Sequence, residues 1–561
     1  MITNLKNIYN FLNNSEKRSF KIILSCGLVN LFLELITLSL ILPILYYVLE
    51  DNKLTNFNLN LIDNIFILLG VFMGSIIIKN IFFYFSNQYM LKFLRKFNQR
   101  ASNDLLKYYL AIDYIEYLKV GYSGFSRSII VEVNYLINFY RGIIELILHS
   151  LVFIGIFIFL IFYNYKITFL LIIFYLCFLY LPSLFINKKI DNLAKARKDL
   201  DKKKLYISNH IFQNLNLIKL MKVEEFFKNK FRLFNIGQQT NFYKLARLQV
   251  LPKILVELST LIFLIIFMLL SIVIKVPLET LVSIVTIFIF AAIRIMPSTN
   301  QIMGSLQSIR YFYNTFVSFL EKKKFEKQII KNKETHKEQF LENKIIFNND
   351  IKVTNLSFKY PGNDKHTLKN INFLIKKNTI FGIQGDSGSG KTTLINLILG
   401  LLNPDGGKIE CNGFNILNHK ENWQKEISYL PSNYSLLNDL LKFNIAYGAK
   451  EEFIDQKRVD ELINKLELNS LSNQDNLTSD SKVDEDGKNF SAGQIQRICI
   501  ARSLYKKSSI LILDEPTSNL DKKNAYKIID WVKKITNQTI IIISHDPGII
   551  EMCDDKFVFQ Q

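Results

Sequence analysis

Long apolar stretches in the first 300 residues constrain what this chain can fold into more than any other feature of its sequence. A helix needs about 20 consecutive, mainly apolar residues to cross the hydrocarbon core of a bilayer. Six stretches meet that length, and we place them at 22–48, 64–88, 141–163, 167–187, 252–275 and 278–296. The sequence therefore predicts an α-helical membrane domain with six transmembrane helices.

The segments between these helices predict their orientation. The long connections after the second and fourth helices contain basic clusters such as LKFLRKFNQR and NKKIDNLAKARKDLDKKK. Because basic loops tend to stay on the cytoplasmic side, we expect these connections and both termini in the cytoplasm. The third and fourth helices are separated only by YNYK, residues 163–166, which predicts a hairpin. Residues 1–18 are not typical of a signal peptide and leave two interpretations open, an amphipathic helix on the membrane surface or a frayed end.

The net charge is +20, from 69 Lys and Arg against 49 Asp and Glu, which admits a nucleic-acid-binding protein as one interpretation. A chain with long apolar stretches more often carries its basic residues in cytoplasmic loops. We therefore expect a membrane protein with no nucleic-acid partner. Five cysteines without CxxC spacing indicate neither a disulfide framework nor a zinc site.

The character of the sequence changes twice after the last apolar stretch. Residues 1–320 form the predicted transmembrane domain, and residues 321–345 form a charged, helical linker. From residue 346 to residue 561, short β-branched runs alternate with helical patterns and Gly-rich turns. That alternation is typical of an α/β domain with a partly parallel sheet.

A glycine-rich segment of this second domain matches the phosphate-binding pattern G-x-x-x-x-G-K-[ST]. It lies between the strand-like run TIFGIQ and the helix-like run TLINLILG, and it consists of Gly385, Asp386, Ser387, Gly388, Ser389, Gly390, Lys391 and Thr392, with Thr393 next. Backbone N–H groups of such a loop wrap phosphates at the N-terminus of a helix. We expect Lys391 to reach the β- and γ-phosphates of ATP and the Thr392 hydroxyl to bind Mg²⁺.

Two adjacent carboxylates follow an apolar run about 120 residues later, in ILILDEPTSNLD. Asp514 stands at the end of the predicted strand, where it can hold Mg²⁺ through water. Glu515 comes next, within reach of an attacking water as a general base. After the phosphate-binding loop, this pair predicts an ATP-hydrolysing site.

Together these motifs make the chain resemble an ABC exporter half-transporter over essentially its whole length, with six membrane helices followed by an ATP-binding cassette domain. The segment FSAGQ, residues 490–494, resembles the ABC signature loop. In that family the loop acts on the ATP held by the partner subunit. The resemblance therefore implies that Ser491, Gly493 and Gln494 contact nucleotide there. It also implies a second half-transporter as partner, and a homodimer is the simplest closed arrangement.

The same resemblance assigns roles to residues outside these motifs. It implies that His545 is a catalytic switch residue, that Tyr360 stacks on adenine, and that Asp521 lies near the nucleotide in the D-loop together with Ser518. An ordinary loop histidine is the alternative for His545, and a core aromatic at a strand end is the alternative for Tyr360. Glu485 resembles a residue of the loop that senses the membrane domain.

Two positions depart from the family pattern. Ala492 replaces the usual glycine of the signature loop and adds one methyl group. Ser432 follows Pro431 where the family has Gln, and its shorter side chain cannot span in the same way to Mg²⁺ and the attacking water. We expect Ser432 to lie at the nucleotide site. Because of this departure, the efficiency with which ATP hydrolysis is coupled to transport is in question, and a heterodimer with a degenerate partner stays an alternative to the homodimer.

Ionisable residues inside the apolar stretches are the candidates for a substrate site, because charges in a bilayer are costly and usually face an interior. They are Glu34, Lys79, Glu145, Lys253, Glu257 and Arg294. One interpretation is structural, with Glu34 paired to Lys79 and Lys253 paired to Glu257.

The other interpretation rests on a second resemblance. The segments NLIKLMKVEEFF, LPKILVELSTLIF and AAIRIMPSTNQIMGSL are similar to bacterial lipid-linked oligosaccharide flippases. In that family, basic residues of the cavity engage the pyrophosphate of the lipid carrier. The resemblance implies this role for Lys79, Lys253 and Arg294.

We therefore expect a multi-pass protein of the bacterial inner membrane that hydrolyses ATP, with Mg²⁺, to move an amphipathic substrate out of the inner leaflet or the cytoplasm. Flipping of a polyprenyl-pyrophosphate-linked oligosaccharide is the main expectation. An exporter of a lipid A-type lipid or of a peptide is the alternative. A non-transporting, ATP-dependent membrane regulator is a third interpretation, from another class of function.

Overall fold

The computed structural model describes residues 2–44, 65–273, 278–340, 349–468, 477–517, 522–535 and 538–559. The chain divides into two compact units. The first comprises Met1–Ile112 and Glu116–Lys333, and the second comprises Asp113–Ile115 and Glu334–Gln561.

The N-terminal part of the chain is helical. Its helices are α1 Ile2–Phe11, α2 Asn14–Ser39, α3 Ile65–Ala111, α4 Tyr114–Val120, α5 Tyr122–Arg127, α6 Val133–Gln213, α7 Leu215–Leu220, α8 Glu224–Val273 and α9 Leu278–Phe340, with a π-helical turn at Ser128–Glu132. The last of these, α9, continues through most of the predicted charged linker.

Five helical stretches of the described residues are long and apolar enough to cross a membrane: Asn14–Ile44, Ile65–Ala111, Gly124–Phe174, Glu224–Val273 and Ile284–Glu326. They overlap the first, second, third, fifth and sixth predicted membrane helices, and the third of them also reaches the start of the fourth prediction. Residues 45–48, 64 and 274–275 of those predictions lie outside the described part of the chain. The fourth prediction, 167–187, falls in the second half of α6, where the side chains of residues 175–185 are not described. The predicted helical membrane domain is confirmed.

The long helix α6 is interrupted where the sequence predicts a turn. Asn164 has extended backbone angles, φ −153° and ψ 96°, so that the helix is two helices joined at a kink. The Asn164 side chain accepts a hydrogen bond from the backbone N–H of Ile167 (3.3 Å), which caps the second helix. The third and fourth predicted membrane helices are therefore separated at YNYK.

The N-terminal helix α1 packs into the helical core. Phe11 and Leu12 are buried in a cluster with Phe97, Tyr140 and Phe316. The Tyr140 hydroxyl also donates a hydrogen bond to the carbonyl oxygen of Ile8, at 2.9 Å. Neither interpretation of residues 1–18 fits this segment, because it is helical and its residues Phe11 and Leu12 pack against protein instead of lying on a membrane surface.

The C-terminal part of the chain is an α/β domain. Its strands are β1 Ile351–Phe358, β2 Leu368–Ile375, β3 Ile380–Gln384, β4 Gly406–Cys411, β5 Phe414–Asn415, β6 Ile427–Leu430, β7 Ile510–Asp514, β8 Thr539–Ile543 and β9 Asp555–Val558. Its helices are α10 Lys391–Ile398, α11 Lys420–Lys425, α12 Leu441–Ile445, α13 Gln456–Lys465, α14 Ala492–Tyr505, α15 Lys522–Ile535 and α16 Pro547–Glu551, with 3-10 turns at Glu451–Phe453 and Glu485–Gly487.

A five-stranded parallel sheet in the order β6-β7-β8-β3-β9 forms the centre of this domain, beside an antiparallel sheet in the order β2-β1-β4-β5. Strands β7 and β8 are buried along their whole length. This explains their continuous apolar sequences, because parallel strands are covered on both faces. The carboxyl ends of parallel strands meet at one edge of a sheet, where ligands bind. The segments that follow β3, β7 and β8 therefore lie at that edge.

Candidate functional site

The phosphate-binding loop connects β3 to α10. Gly388 and Gly390 have positive φ angles of 85° and 101°, a conformation that side chains disfavour. A Cβ atom on Gly385 would lie 2.7 Å from Ser389 Oγ, so that this position also requires glycine. The Lys391 ammonium donates hydrogen bonds to the carbonyl oxygens of Gly385 (2.6 Å) and Asp386 (2.8 Å), which hold it over the loop.

The loop residues fit a phosphate group. Ser389 Oγ is buried and has no hydrogen-bond partner among the described residues, and a buried hydroxyl of this kind is costly unless it is paired. The N-terminus of α10 places free N–H groups at the same loop. Thr392 is exposed, whereas Thr393 is buried. Bound ATP would bring phosphate oxygens to these donors, and Thr392 and Asp514 would hold Mg²⁺.

The two predicted carboxylates lie after β7. Asp514 is the last residue of the strand and is only 4% exposed. Glu515 adopts a positive φ of 51°, and its backbone N–H donates to the carbonyl oxygen of Ile543 (2.9 Å) on β8. This turn separates the two side chains, because Asp514 stays in the sheet edge while Glu515 is about one-third exposed.

His545 contacts the predicted general base directly. Its Nε2 atom lies 2.8 Å from Glu515 Oε1. The two residues follow neighbouring strands, since β7 pairs with β8. The contact orients the Glu515 carboxylate, which is what a general base needs in order to act on one water. This geometry favours the catalytic interpretation of His545 over an ordinary loop histidine.

Ser432 lies against Asp514. Its hydroxyl and its backbone N–H lie close enough to the Asp514 carboxylate to lower the pKa of that group, and so does the Tyr429 hydroxyl. Burial raises the pKa of Asp514 above its ordinary value, and the nearby Ser432 and Tyr429 donors partly offset that effect. The departure from the family pattern at Ser432 thus provides a direct contact to the predicted magnesium ligand. Neither this contact nor the one from Tyr429 is predicted by the sequence pattern.

We expect Ser432→Ala to weaken Mg²⁺ binding more at pH 6 than at pH 8. Without the hydroxyl the pKa of Asp514 rises further, so that protons compete more strongly with Mg²⁺ for the carboxylate as the pH falls. A lost hydrogen bond to a charged group predicts that the Mg²⁺ concentration for half-maximal ATP hydrolysis rises about threefold to tenfold at pH 6. Ser435→Ala, at an exposed position nearby, is the control. An equal change at both pH values would contradict the role of Ser432.

Tyr360 is half-buried just after β1. Its hydroxyl lies 3.2 Å from Thr393 Oγ1, in the first turn of α10, and its ring meets Phe358 edge-on at 5.0 Å. The ring is therefore tied to the helix that carries the phosphate-binding loop. Stacking on adenine stays a prediction.

The predicted signature loop ends in a helix cap. The Ser491 hydroxyl accepts a hydrogen bond from the Gln494 N–H (3.3 Å), and Gln494 Oε1 accepts one from the Ser491 N–H (2.8 Å). Gln494 is buried and its side chain is engaged in this capping box, while Ser491 is exposed and Gly493 is half-buried. Asp521, predicted in the D-loop with Ser518, lies outside the described residues.

A cavity of about 440 Å³, lined by both charged and apolar side chains, lies in the first unit. Among its lining residues are Glu34, Lys79 and Arg294, from α2, α3 and α9. Glu34 binds both cations, because its Oε2 is 2.7 Å from Lys79 Nζ and its Oε1 is 3.1 Å from Arg294 Nε. Lys79 is only 7% exposed. The predicted Glu34–Lys79 pair is therefore present, and Arg294 joins it.

The remaining lining is mixed. Its amides and hydroxyls are Asn30, Asn80, Ser86, Asn87, Ser298 and Gln301, it contains Glu145 and His149, and its apolar side chains include Phe83, Met90, Leu148, Val152 and Ile293. The Asn30 Oδ1 atom is buried without a hydrogen-bond partner among the described residues. Lys253 is exposed and does not line this cavity, and within the described part of the chain it forms no ion pair with Glu257. The structure thus brings together two of the three predicted substrate residues.

Comparisons with known proteins agree with these two units. The sequence model of the family described as ABC transporter matches residues 368–518, from β2 to the segment after β7. Similar curated proteins include the ATP-dependent lipid A-core flippases of Vibrio vulnificus (34% identical over 215 residues), Pseudomonas aeruginosa (37% over 221) and Escherichia coli (33% over 215). Each match covers 37–38% of this chain and only 35–36% of the relative, so the chain spans about a third of these relatives.

A solved structure resembles nearly the whole chain. A bacterial Atm1-family ABC exporter with ATP bound superimposes with a TM-score of 0.77 over 98% of this chain and 94% of its own, at 17% sequence identity. At that identity the likeness establishes the fold of both units, and nothing about the substrate.

Proposed function

We propose that this chain hydrolyses ATP with Mg²⁺ to export an amphipathic substrate across the membrane that its helices span. Its fold is that of an ABC exporter half-transporter, and its nucleotide-binding domain matches the ABC transporter family. The single observation that carries the proposal is the Glu515–His545 contact of 2.8 Å at the edge of the sheet that also holds the phosphate-binding loop. A loop that only bound nucleotide would need no oriented base. We also propose that this membrane is the bacterial inner membrane and that both termini of the chain lie in the cytoplasm.

The chemistry of the membrane cavity supports a phosphorylated glycolipid as the substrate. Lys79 and Arg294 supply cations that suit a phosphate, and Arg in particular can bind it through two N–H groups. The amides and hydroxyls of the same lining suit sugar hydroxyls, each of which is both donor and acceptor, and its apolar side chains suit the lipid part. A sugar headgroup with phosphate is common to lipid A-type lipids and to polyprenyl-pyrophosphate-linked oligosaccharides.

Between these two substrates, the relatives favour the first. The matched curated proteins are named lipid A-core flippases, which supports the lipid A-type alternative of the sequence analysis over its main expectation of a lipid-linked oligosaccharide. We therefore propose a lipid A-type glycolipid as the first substrate to examine, with the oligosaccharide lipid second.

A second subunit belongs to the same proposal. Ser491, at the exposed N-terminus of α14, can still donate its hydroxyl hydrogen, because that oxygen only accepts within the cap. A loop that offers such a group at the protein surface suits a nucleotide held by another copy. We propose a homodimer in which each signature loop completes the partner's ATP site.

Substrate-stimulated ATP hydrolysis tests this proposal. The purified protein in nanodiscs is titrated with lipid A, with a polyprenyl-pyrophosphate oligosaccharide and with an amphipathic peptide. We expect both glycolipids to stimulate hydrolysis, lipid A at the lower concentration, and the peptide to have no effect. Stimulation by the peptide alone would contradict the glycolipid assignment. Steady hydrolysis that no substrate changes would favour the regulator over a transporter.

A further inference from the structure

A second cavity, of about 250 Å³, lies in the first unit apart from the sites described above. Its lining comes from the end of α5 with the π-helical turn after it, from the start and the second half of α6, and from α9. Residues of its lining that matter here are Arg127, Glu132, Lys195, Arg197, Lys198 and Thr315. Sites for drug-sized ligands measure roughly 300–1,000 Å³, so this cavity suits a small ion.

Arg197 is fixed at this cavity with one donor left over. It is 4% exposed, and its two terminal nitrogens donate to the carbonyl oxygen of Tyr311 (3.3 Å) and to Thr315 Oγ1 (2.9 Å). Its guanidinium carbon lies 4.2 Å from the ring centre of Tyr135 and 4.6 Å from that of Tyr311. The Nε–H group is buried with no hydrogen-bond partner among the described residues. Burial also lowers the pKa of this guanidinium, as expected for a cation that lacks full compensation.

Arg127, which also lines this cavity, is likewise a buried arginine with one donor unpaired among the described residues. It is 9% exposed, and one of its terminal nitrogens lies 2.6 Å from Glu132 Oε1. Its Nε–H group is likewise buried and unpaired within the described part of the chain. Glu132 is shared, because its other oxygen is 3.4 Å from Lys322 Nζ. A single carboxylate therefore serves two cations here, and the positive charge is not fully neutralised.

The mouth of the cavity adds further positive charge. Lys195 and Lys198 are exposed on α6, beside the exposed Asp199. The cavity as a whole has four cationic side chains against two carboxylates. This surplus of positive charge, with two lysines exposed to solvent, favours an anion with several acceptor oxygens.

We propose that this cavity binds a small phosphate anion from the cytoplasm. Phosphate carries negative charge and several acceptor oxygens, which suits a cavity whose lining has a surplus of cationic side chains. Lys195 stands eight residues after the predicted end of the fourth membrane helix, which is roughly 12 Å along a helix. That exceeds the headgroup layer of about 5–8 Å on each side of a bilayer, so a soluble anion is the occupant, and not a lipid headgroup. The proposal does not depend on the transported substrate.

Calorimetric titration with inorganic phosphate tests the site. The full-length protein in phosphatidylcholine nanodiscs carries Lys391→Ala, which removes the main cation of the nucleotide site, and ionic strength is held constant with chloride. We expect saturable binding that weakens about fivefold or more when Lys195 and Lys198 are both changed to Gln, since charge-assisted hydrogen bonds are lost. The matched control changes Lys202 and Lys203 to Gln, because these exposed lysines of the same helix lie outside the cavity.

Two results would overturn the proposal. The first is an absence of saturable binding, or the same affinity in the two double variants, which would mean that water fills the cavity. The second is competition between phosphate and phosphatidic acid added to the nanodiscs, which would assign the site to a lipid headgroup. Binding that survives phosphatidic acid and is lost only in the Lys195 and Lys198 variant is the expected result.

Discussion

Glu515→Gln is expected to lower steady-state ATP hydrolysis at least about a hundredfold, which is the lower range of what a positioned general base contributes. The amide keeps the size of the side chain and can still accept a hydrogen bond from His545, but it cannot take a proton from water. ATP binding should change little, because the phosphate-binding loop and Lys391 are untouched. Hydrolysis and nucleotide binding are measured separately on the purified protein.

A matched control is available for this substitution. Glu452→Gln makes the same chemical change at an exposed position in the 3-10 turn Glu451–Phe453, away from the sheet edge. It should leave hydrolysis within about twofold, as surface substitutions usually do. Undiminished turnover in the Glu515→Gln protein would remove Glu515 as the base and with it the role given to His545.

The second large effect is expected from substitutions in the membrane cavity that contains Lys79 and Arg294. Changing both Lys79 and Arg294 to Ala is expected to abolish stimulation of hydrolysis by a phosphorylated glycolipid, since loss of a desolvated charge contact costs about 2–5 kcal/mol. Basal hydrolysis should persist, because the nucleotide site is unchanged. Lys253→Ala is the control, since that lysine is exposed and outside the cavity. A loss of stimulation with Lys253→Ala, and none with the double variant, would contradict the assignment.

Substitution of Glu34 should have the opposite effect, namely a stronger response of ATP hydrolysis to glycolipid. The Glu34 carboxylate is paired with Lys79 Nζ at 2.7 Å and with Arg294 Nε at 3.1 Å. A substrate phosphate that binds these two cations must therefore displace it. With Glu34→Gln we expect the half-stimulating glycolipid concentration to fall about tenfold, which corresponds to about 1.4 kcal/mol. The substitution also leaves a buried Lys79 without its carboxylate, and such a change is destabilising. The thermal midpoint should therefore fall without substrate and recover when glycolipid is added. A higher half-stimulating concentration would indicate that Glu34 only supports the fold.

Local signals in the sequence were sufficient for much of the nucleotide site. The apolar runs of β7 and β8 predict fully buried strands, and the glycine pattern predicts the positive φ angles at Gly388 and Gly390. YNYK predicts the interruption at Asn164 because Asn readily ends one helix and caps the next. The capping box at Ser491 and Gln494 could also have been predicted, since S-x-x-Q before a helix is its usual signature.

Contacts between distant segments could not be predicted in this way. Glu34 and Arg294 are 260 residues apart in the sequence, and only the packing of their helices brings them within 3.1 Å. Spacing along one helix suggested Lys253 with Glu257, yet these two side chains are exposed and are not paired in the described structure. The family pattern shows that Ser432 is unusual but does not show what it contacts. Its contact to Asp514 follows from the pairing of β6 with β7, which joins two segments that are distant in the sequence.

Translocation of a labelled lipid A-type glycolipid in proteoliposomes tests the proposed function most directly. The label is read on each leaflet by a membrane-impermeant quencher, with and without ATP and Mg²⁺, for the unchanged protein and for Glu515→Gln. We predict net movement of the glycolipid away from the leaflet on the nucleotide-binding side, only with ATP and only in the unchanged protein. Equal movement in the Glu515→Gln protein, or ATP hydrolysis without any movement of the glycolipid, would contradict an ATP-driven glycolipid exporter.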